Sequence, residues 1–445
     1  AGPAALLPDA RGAHARNVIF MVADGMSTGT LTLADMLARR RGEGPSAWAT
    51  LWRWTHARGR REGAPDVYRS MVMTHSLDSL VTDSAAGGSA WGCGVHVNNG
   101  WINMLPDGSE PRPILVEAKD AGRAAGLVTT TTVTHATPAS FVANVPDRGM
   151  EREIARQILD RGVDVVLGGG RRFFPDELLA RHPDVTLLRT ARELSRADGA
   201  PGRVLGLFND AHLSYALDRD ADGLDEPTLA EMTRAALRRL ERAPNGFVLQ
   251  VEGGRVDHAA HNNDACSLLR EQREFDAALA AAVDFARARD DTLLIVTTDH
   301  ANANPGLTLY TESGDAAFAR LAEARHSFDW IAGRFAPARQ RGAGIDEFAS
   351  LVREAIGVQL GERERDWLAR TTLAGAPGDA FLPRATPEGA LGSVLANHLG
   401  VSFVGTNHTA DYVECTAFGP GAERLGPLID NIDLHTLVVE ALALA

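Results

Sequence analysis

Apolar and β-branched runs along the chain predict the buried strands of a parallel sheet. They cover residues 17–23, 126–134, 163–167, 247–251, 292–298 and 401–405. Continuous runs of this kind are typical of strands that are covered on both faces. Helical patterns lie between them, with a start near Met150, a long amphipathic segment ending near Arg289 and a closing helix over 434–445. This alternation favours an α/β fold whose doubly wound, mostly parallel central sheet is flanked by helices on both faces.

Two stretches depart from this pattern and indicate insertions in a single catalytic domain over 17–445. Residues 39–70 combine a cluster of arginines with three tryptophans. Residues 305–397 are rich in Arg, Ala and Pro and carry few strand signals, which predicts an inserted subdomain. Residues 1–16 are expected to form a loose leader.

Two local motifs resemble binding sites, but their details favour a structural role. Trp48 and Trp52 have helical spacing, so a packed insertion is favoured over a binding surface. The segment D-R-D-A-D-G at 218–223 resembles the opening of a calcium-binding EF-hand loop. Its twelfth position is Leu229, where that loop needs a bidentate glutamate, so we predict only a polar loop.

Composition narrows the possible partners. The chain has 445 residues, 44% of them hydrophobic, and a net charge of −13, which disfavours nucleic acid and anionic lipid as partners. An anionic substrate would need a strongly positive local site. No apolar run approaches membrane-spanning length. The three cysteines, Cys93, Cys266 and Cys415, are too few and scattered for a disulfide framework, and at most one pair could close.

Polar side chains with catalytic potential gather where the predicted strands end or helices begin. They are Asp24, Ser84, His135, Thr137, Glu252, Asp257, His261, Asp299, His300 and His408. Open α/β sheets bind their ligands at the carboxyl ends of the strands. Oxygen and imidazole donors without thiolates suit Zn²⁺ and Mg²⁺. Asp257 and His261 are four residues apart, so a helix there would present both to one metal ion.

Ser84 opens a run of small residues, S-A-A-G-G-S-A, that can begin a helix. The free N–H groups of a helix start favour an anion such as phosphate. Asp83 or Ser84 could serve only as an N-cap. No G-x-S-x-G elbow surrounds Ser84, so a nucleophilic serine here needs another means of activation.

Six motifs, in order, resemble those of the alkaline phosphatases. They are V-A-D-G-M at 22–26, V-T-D-S-A-A at 81–86, T-H-A-T-P-A-S-F at 134–141, V-E-G-G-R-V-D-H-A-A-H at 251–261, T-T-D-H-A at 297–301 and N-H-T at 407–409. The resemblance implies hydrolysis of phosphate monoesters through a phosphoserine at a site with two zinc ions and one magnesium ion. It runs from about residue 17 to the end of the chain and leaves the two insertions unmatched.

The resemblance also implies a role for each matching residue. One zinc would be held by Asp257, His261 and His408; the second by Asp24, Asp299 and His300; and the magnesium by Thr137, Glu252 and the other oxygen of Asp24. Ser84 would be the nucleophile, and Arg148 would clamp the phosphate. A metal-stabilised serine alkoxide needs no general-base histidine. Asp83 and His135 would support the site without binding metal, and His258 would contact phosphate through water.

Two alternatives remain at the level of the sequence. One is a phosphodiesterase or sulfatase of the same superfamily, although Ser84, Thr137 and Glu252 together favour phosphate monoesters. A catalytically inactive phosphate- or metal-binding protein could also use this fold. The resemblance further suggests a secreted or periplasmic protein whose signal peptide has been removed, and a possible homodimer.

Overall fold

The computed structural model describes residues 6–7, 14–54, 66–309, 312–373 and 386–444. The strands in these ranges are β1 Asn17–Val22, β2 Val67–Met73, β3 Ala124–Thr132, β4 Val165–Gly169, β5 Val185–Leu188, β6 Arg203–Leu207, β7 Phe247–Glu252, β8 Thr292–Thr297, β9 Ala301–Asn302, β10 Gly306–Leu307, β11 Val401–Ser402, β12 His408–Thr409, β13 Val413–Phe418 and β14 Leu428–Asp430. The predicted strand at 401–405 is therefore shorter than expected.

Helices cover about half of the remaining described chain. They are α1 Thr28–Arg40, α2 Ala47–Trp52, α3 Ser84–Cys93, α4 Ile114–Asp120, α5 Ala136–Ser140, α6 Glu151–Asp160, α7 Asp176–Leu179, α8 Ala191–Ser195, α9 Ala216–Asp222, α10 Leu229–Leu240, α11 Arg255–His261, α12 Ala265–Arg287, α13 Glu312–Ala319, α14 Phe328–Gln340, α15 Ile345–Ile356, α16 Glu362–Leu368, α17 Pro387–Leu399 and α18 Asp433–Ala441.

Ten strands form one central sheet in the order β14-β2-β13-β8-β1-β7-β3-β4-β6-β5. The strands from β8 to β5 in this order pair in parallel, and β13 pairs antiparallel with both β8 and β2. Both faces are covered, because Val18 and Phe20 of β1 join one apolar cluster while Ile19 and Met21 join another. The predicted doubly wound, mostly parallel sheet is confirmed.

Helices α13 to α17 occupy most of the described part of the predicted 305–397 subdomain. Their apolar residues form a third cluster with Leu33 and Leu37 of α1 and Leu269 of α12. This helical region is therefore packed against helices that flank the central sheet. Within the other predicted insertion, at 39–70, Val67 begins strand β2 of the main sheet.

The acidic segment at 218–223 is not the polar loop that its composition predicts. Residues Ala216–Asp222 form helix α9, and Gly223 ends it in the left-handed conformation. Arg219 is buried and pairs with Glu274 of α12 at 3.0 Å, so a tertiary contact fixes the helix.

Most of the predicted leader lies outside the described residues. The backbone of Leu7 nevertheless donates to Arg424 O, and buried Ala15 donates to Ala441 O. These described residues are thus held against the C-terminal segment. All three cysteines are buried and free. In the ranges that the structure covers, no helix is both long and apolar enough to cross a membrane.

Candidate active site and metal centre

Four buried carboxylates converge at the carboxyl end of the sheet. Strand β1 lies between β7 and β8, so Asp24, Glu252 and Asp299 follow or end three neighbouring parallel strands. Asp257, in the first turn of α11, completes the group. Gly25 has a φ of +66°, and any Cβ at this position would collide with Asp257. Only glycine therefore allows Asp24 and Asp257 to approach this closely.

The burial of four carboxylates in one cluster favours binding of a cation. Burial, together with the charges of Asp299, Asp257 and Glu252, raises the pKa of Asp24 well above its usual value. Burial likewise raises the pKa of Glu252 to about 7. Asp24 Oδ1 and Glu252 Oε1 are buried without a hydrogen-bond partner. Unpaired buried carboxylate oxygens are costly, and metal coordination is a standard way to satisfy them.

His261 and His408 form the clearest metal-binding geometry. In each ring, Nδ1 lies within hydrogen-bond distance of a backbone carbonyl oxygen. His261 Nδ1 lies 2.7 Å from Thr406 O, and His408 Nδ1 lies 2.9 Å from Thr82 O. These contacts place the proton on Nδ1 and leave Nε2 as a lone pair in each neutral ring. The two Nε2 atoms are nevertheless only 3.0 Å apart. Facing lone pairs repel, so a proton or a metal ion must lie between these rings.

Asp257 supplies the negative charge beside this histidine pair. Its Oδ2 lies 3.3 Å from His261 Nε2, and its Oδ1 lies 3.5 Å from His408 Nε2. Burial alone would raise the pKa of Asp257, but the two histidines outweigh burial and hold it well below its usual range. Asn302 also donates to Oδ1 at 2.7 Å. Asp257 is therefore an ionised carboxylate that lies beside both imidazoles.

His300 links this group to the second predicted set. Its Nε2 lies 3.1 Å from Asp299 Oδ2 and 3.8 Å from Asp24 Oδ1. Donor atoms of Asp24, Asp299 and His300 all lie within 4.8 Å of one another, as do those of Asp257, His300 and His408. The structure thus brings the residues of both predicted zinc sets together.

The histidine pair makes the stability of the metal-free protein depend on pH. Burial lowers the pKa of His408, but Asp257 outweighs it and raises the pKa from 6.5 to about 9. A histidine whose pKa is higher in the folded than in the unfolded state stabilises the folded protein. This contribution to the free energy of unfolding is complete below pH 6.5 and disappears as pH rises through about 9. We expect chelated protein to lose on the order of 3 kcal/mol of unfolding free energy across this window.

Urea unfolding of chelated wild type and His408→Gln at both ends of the window measures this loss. The substitution should remove most of the pH dependence while the His182→Ala control retains it. Equal pH dependence in wild type and His408→Gln would contradict the account.

Ser84 is the first residue of α3, directly beside this cluster. Asp83 caps the helix by accepting from Ala86 N at 2.9 Å. Ser84 Oγ lies 3.2 Å from His300 Nε2 and is almost fully buried. A Cβ on Gly88 would collide with the side chain of Ser140, so the small residues of α3 allow α5 to pack closely. The two predictions for this segment are therefore compatible, because Asp83 caps the helix while Ser84 lies beside the cluster as the predicted nucleophile.

Arg148 is fixed beside the start of α3. Its Nη1 donates to Asp83 Oδ2 at 2.9 Å, and its Nη2 lies 3.2 Å from His135 Nε2. The Gly100 backbone N–H donates to the same Asp83 oxygen at 3.0 Å. Asp83 thus orients both the helix that carries Ser84 and the guanidinium predicted to clamp phosphate.

His135 lies beside the third predicted metal site. A donor atom of His135 lies within 4.8 Å of donor atoms of Asp24 and Glu252, so this residue is near enough to bind a metal ion there or to support its ligands. Its Nδ1 is buried without a partner. Thr137 Oγ donates to Asp24 Oδ2 at 3.3 Å, so this residue also lies at the predicted site.

His258 lies in a histidine cluster that the sequence only partly reveals. Its ring packs edge-on against those of His135 and His212, with centroids 5.5 and 4.6 Å away. Arg255 donates to His258 Nδ1 at 2.9 Å, which places the proton of the neutral ring on Nε2. Burial and then nearby arginines lower the pKa of all three histidines, that of His212 to about 4. These rings are therefore neutral.

Sequence reasoning missed His212 and the importance of Arg255. His212 follows β6, and its Nδ1 accepts from Thr132 N at 3.0 Å. Arg255 is buried, lies 3.6 Å from the ring centroid of Tyr215 and donates to Asp329 of α14 at 3.0 Å. No motif marks His212, whereas Arg255 stands inside the matched segment 251–261.

Comparison with known proteins agrees with this geometry. The alkaline phosphatase family profile matches residues 15–335. The chain is 30% identical to alkaline phosphatase 4 of Bacillus subtilis, covering 97% of this chain and 89% of the relative. This chain belongs to the alkaline phosphatase family.

Further relatives support the same activity. Alkaline phosphatase 3 of Bacillus subtilis is 30% identical over 81% of this chain and 77% of its own length. The crystal structure of Thermus thermophilus alkaline phosphatase superposes with a TM-score of 0.87 at 34% identity, covering 98% of this chain and 92% of that chain. The protein is a metal-dependent phosphatase that hydrolyses phosphate monoesters. The comparisons give no support to the phosphodiesterase, sulfatase or inactive-protein alternatives.

Proposed function

We propose that this phosphatase works through a phosphoserine on Ser84 at a site that holds two zinc ions and one magnesium ion. The facing Nε2 atoms of His261 and His408, 3.0 Å apart beside Asp257, carry the proposal because two neutral rings adopt this arrangement only with a proton or a metal ion between them, and Asp257 adds a carboxylate that suits a metal. Imidazole and carboxylate donors suit zinc. The first zinc is assigned to Asp257, His261 and His408, and the second to Asp24, Asp299 and His300.

The third site is assigned to magnesium on oxygen ligands from Asp24, Thr137 and Glu252. Hard oxygen donors suit Mg²⁺, whereas an imidazole favours zinc. His135 adds such an imidazole to the Asp24 and Glu252 group. The metal preference of this site therefore depends on whether His135 binds the ion or only supports the oxygen ligands.

Ser84 performs the phosphoryl transfer. When bound at the predicted ligands, the metal ions would favour loss of the Ser84 hydroxyl proton and would polarise the phosphoryl oxygens. Ser84 Oγ forms a bond to phosphorus while the bond from phosphorus to the alcohol oxygen breaks, and the departing alcohol gains a proton equivalent to the one Ser84 loses. Water then attacks the phosphoserine, which releases inorganic phosphate and restores the serine hydroxyl.

The surrounding chain compensates the charge of the phosphate. Arg148 is held at the start of α3 by Asp83, and its planar guanidinium can bind two non-bridging oxygens at once. The free N–H groups at the start of α3 add positive potential beside Ser84. His258, with its proton on Nε2, is assigned as a neutral donor that contacts phosphate through water.

Cellular location and assembly are proposed from the family alone. Secretion or export to the periplasm, with removal of a signal peptide, and a homodimer are both common among alkaline phosphatases. Light scattering of the purified protein decides the oligomeric state.

Metal removal followed by reconstitution tests the proposed function. We expect chelated protein to lose hydrolysis of p-nitrophenyl phosphate and to regain it only when Zn²⁺ and Mg²⁺ are both restored, because the carboxylate cluster then recovers its cations. The diester bis-p-nitrophenyl phosphate serves as the control substrate and should be hydrolysed more slowly. Full activity after chelation would refute the metal mechanism, and a faster diester reaction would refute the monoester preference.

A further inference from the structure

A second group of metal-ligand side chains lies outside the phosphatase site. His75 follows β2, His96 follows α3, and Asp430 is the last residue of β14. Donor atoms of these three residues all lie within 4.8 Å of one another. Strand β14 pairs with β2 so that Asp430 is opposite Met73, which brings Asp430 near His75.

The contacts within this group are direct. His96 Nε2 lies 3.1 Å from Asp430 Oδ1, and the ring centroids of His75 and His96 are 4.3 Å apart. His96 Nδ1 is buried and has no hydrogen-bond partner. Among the described residues, Asp430 forms no salt bridge with a lysine or arginine, so its negative charge is available to a cation.

We propose that His75, His96 and Asp430 bind one zinc ion at a site separate from the phosphatase centre. Two imidazoles and one carboxylate form a donor set that suits zinc better than magnesium or calcium, and water can fill a fourth position. The side chains of His96 and Asp430 are 18% and 23% exposed, so an ion can reach them from solvent. Closing the donors around zinc requires only small side-chain movements.

This site joins three segments that are distant in sequence. It connects the end of β2 to the end of β14 and to the chain leaving α3. Ser84 is the first residue of α3, and His96 lies three residues beyond Cys93, the last residue of this helix. The zinc ion would therefore hold the segment that leaves the C-terminal end of the helix whose first residue is the proposed nucleophile.

Zinc stoichiometry tests this assignment. Metal-free wild type and a His75→Ala, His96→Ala double variant are dialysed against zinc at a concentration that saturates the phosphatase site, and bound zinc is then measured by elemental analysis. We expect the double variant to bind one equivalent fewer and to keep its phosphatase activity. An equal number of zinc ions in both proteins would overturn the proposal and leave only a His96–Asp430 ion pair.

Two further variants keep the test decisive if the double variant fails to fold. Asp430→Asn preserves side-chain volume and should also bind one equivalent fewer, whereas an unchanged count would overturn the proposal. His182→Ala is the matched control, because His182 Nε2 also lies 3.1 Å from a carboxylate, that of Asp160, but its Nδ1 faces Arg203. This control should bind as much zinc as wild type, and a loss of zinc there would also overturn the proposal.

Discussion

Ser84→Ala should lower kcat for p-nitrophenyl phosphate by roughly 10⁴-fold or more, because the substitution removes the atom that accepts the phosphoryl group. Ser84 Oγ lies 3.2 Å from His300 Nε2, and the rest of the side chain is retained in alanine. The variant should therefore bind as much zinc as wild type. Steady-state kinetics and elemental analysis on the same preparation measure both quantities.

Ser89→Ala is the matched control for this substitution. Ser89 lies on the same helix, is equally buried and accepts from Asn103 N at 2.9 Å. Its loss should cost stability, since it leaves a buried backbone N–H unpaired, while kcat stays close to that of wild type. A Ser84→Ala enzyme with full zinc content and near-normal kcat would exclude Ser84 as the nucleophile.

Asp24→Asn should lower kcat/KM by about 10³-fold or more, because Asp24 belongs to two of the candidate metal groups and the loss of a metal removes several kcal/mol of charge stabilisation. The same substitution should not destabilise metal-free protein. A carboxyl whose folded-state pKa is raised, as burial raises that of Asp24, opposes folding at any pH above its unfolded value. A neutral amide avoids this cost.

Stability and metal content together distinguish this effect from misfolding. Chelated Asp24→Asn should be as stable as chelated wild type or more so, yet gain less stability when zinc is added. Asp276→Asn is the control, because burial also raises the pKa of Asp276, to about 6, in helix α12 away from the site. Unaltered zinc binding by Asp24→Asn would show that Asp24 is not a ligand.

The sequence predicts the centre of the candidate site because the predicted ligands follow continuous buried strands. Asp24, Glu252 and Asp299 end or follow such strands, and parallel strands bring their carboxyl ends to one edge. The short spacing of Asp257 and His261 fixes their relation within one helix. The local sequence pattern and the topology of a parallel sheet are therefore sufficient to predict that these residues lie close together.

The remaining features depend on long-range packing that the sequence pattern does not encode. Strand β2 has a partly exposed, alternating pattern, and its place is set by pairing with β13 and β14, which are distant in sequence. His212 reaches the site only because the loop after β6 brings it to Thr132 at the end of β3. The role of His135 likewise depends on its distance from Asp24 and Glu252, which lie on other segments, so its sequence prediction as a supporting residue stays a prediction.

The most direct test of the central proposal is to identify the residue that carries the phosphoryl group. Enzyme mixed with p-nitrophenyl phosphate is quenched in acid, digested and analysed by mass spectrometry. We expect one phosphoryl group on the peptide that contains Ser84, located on Ser84 by fragmentation, and none in the Ser84→Ala variant. A phosphoryl group on another residue, or an active enzyme in which Ser84 is never labelled under conditions that trap the intermediate, would contradict this proposal.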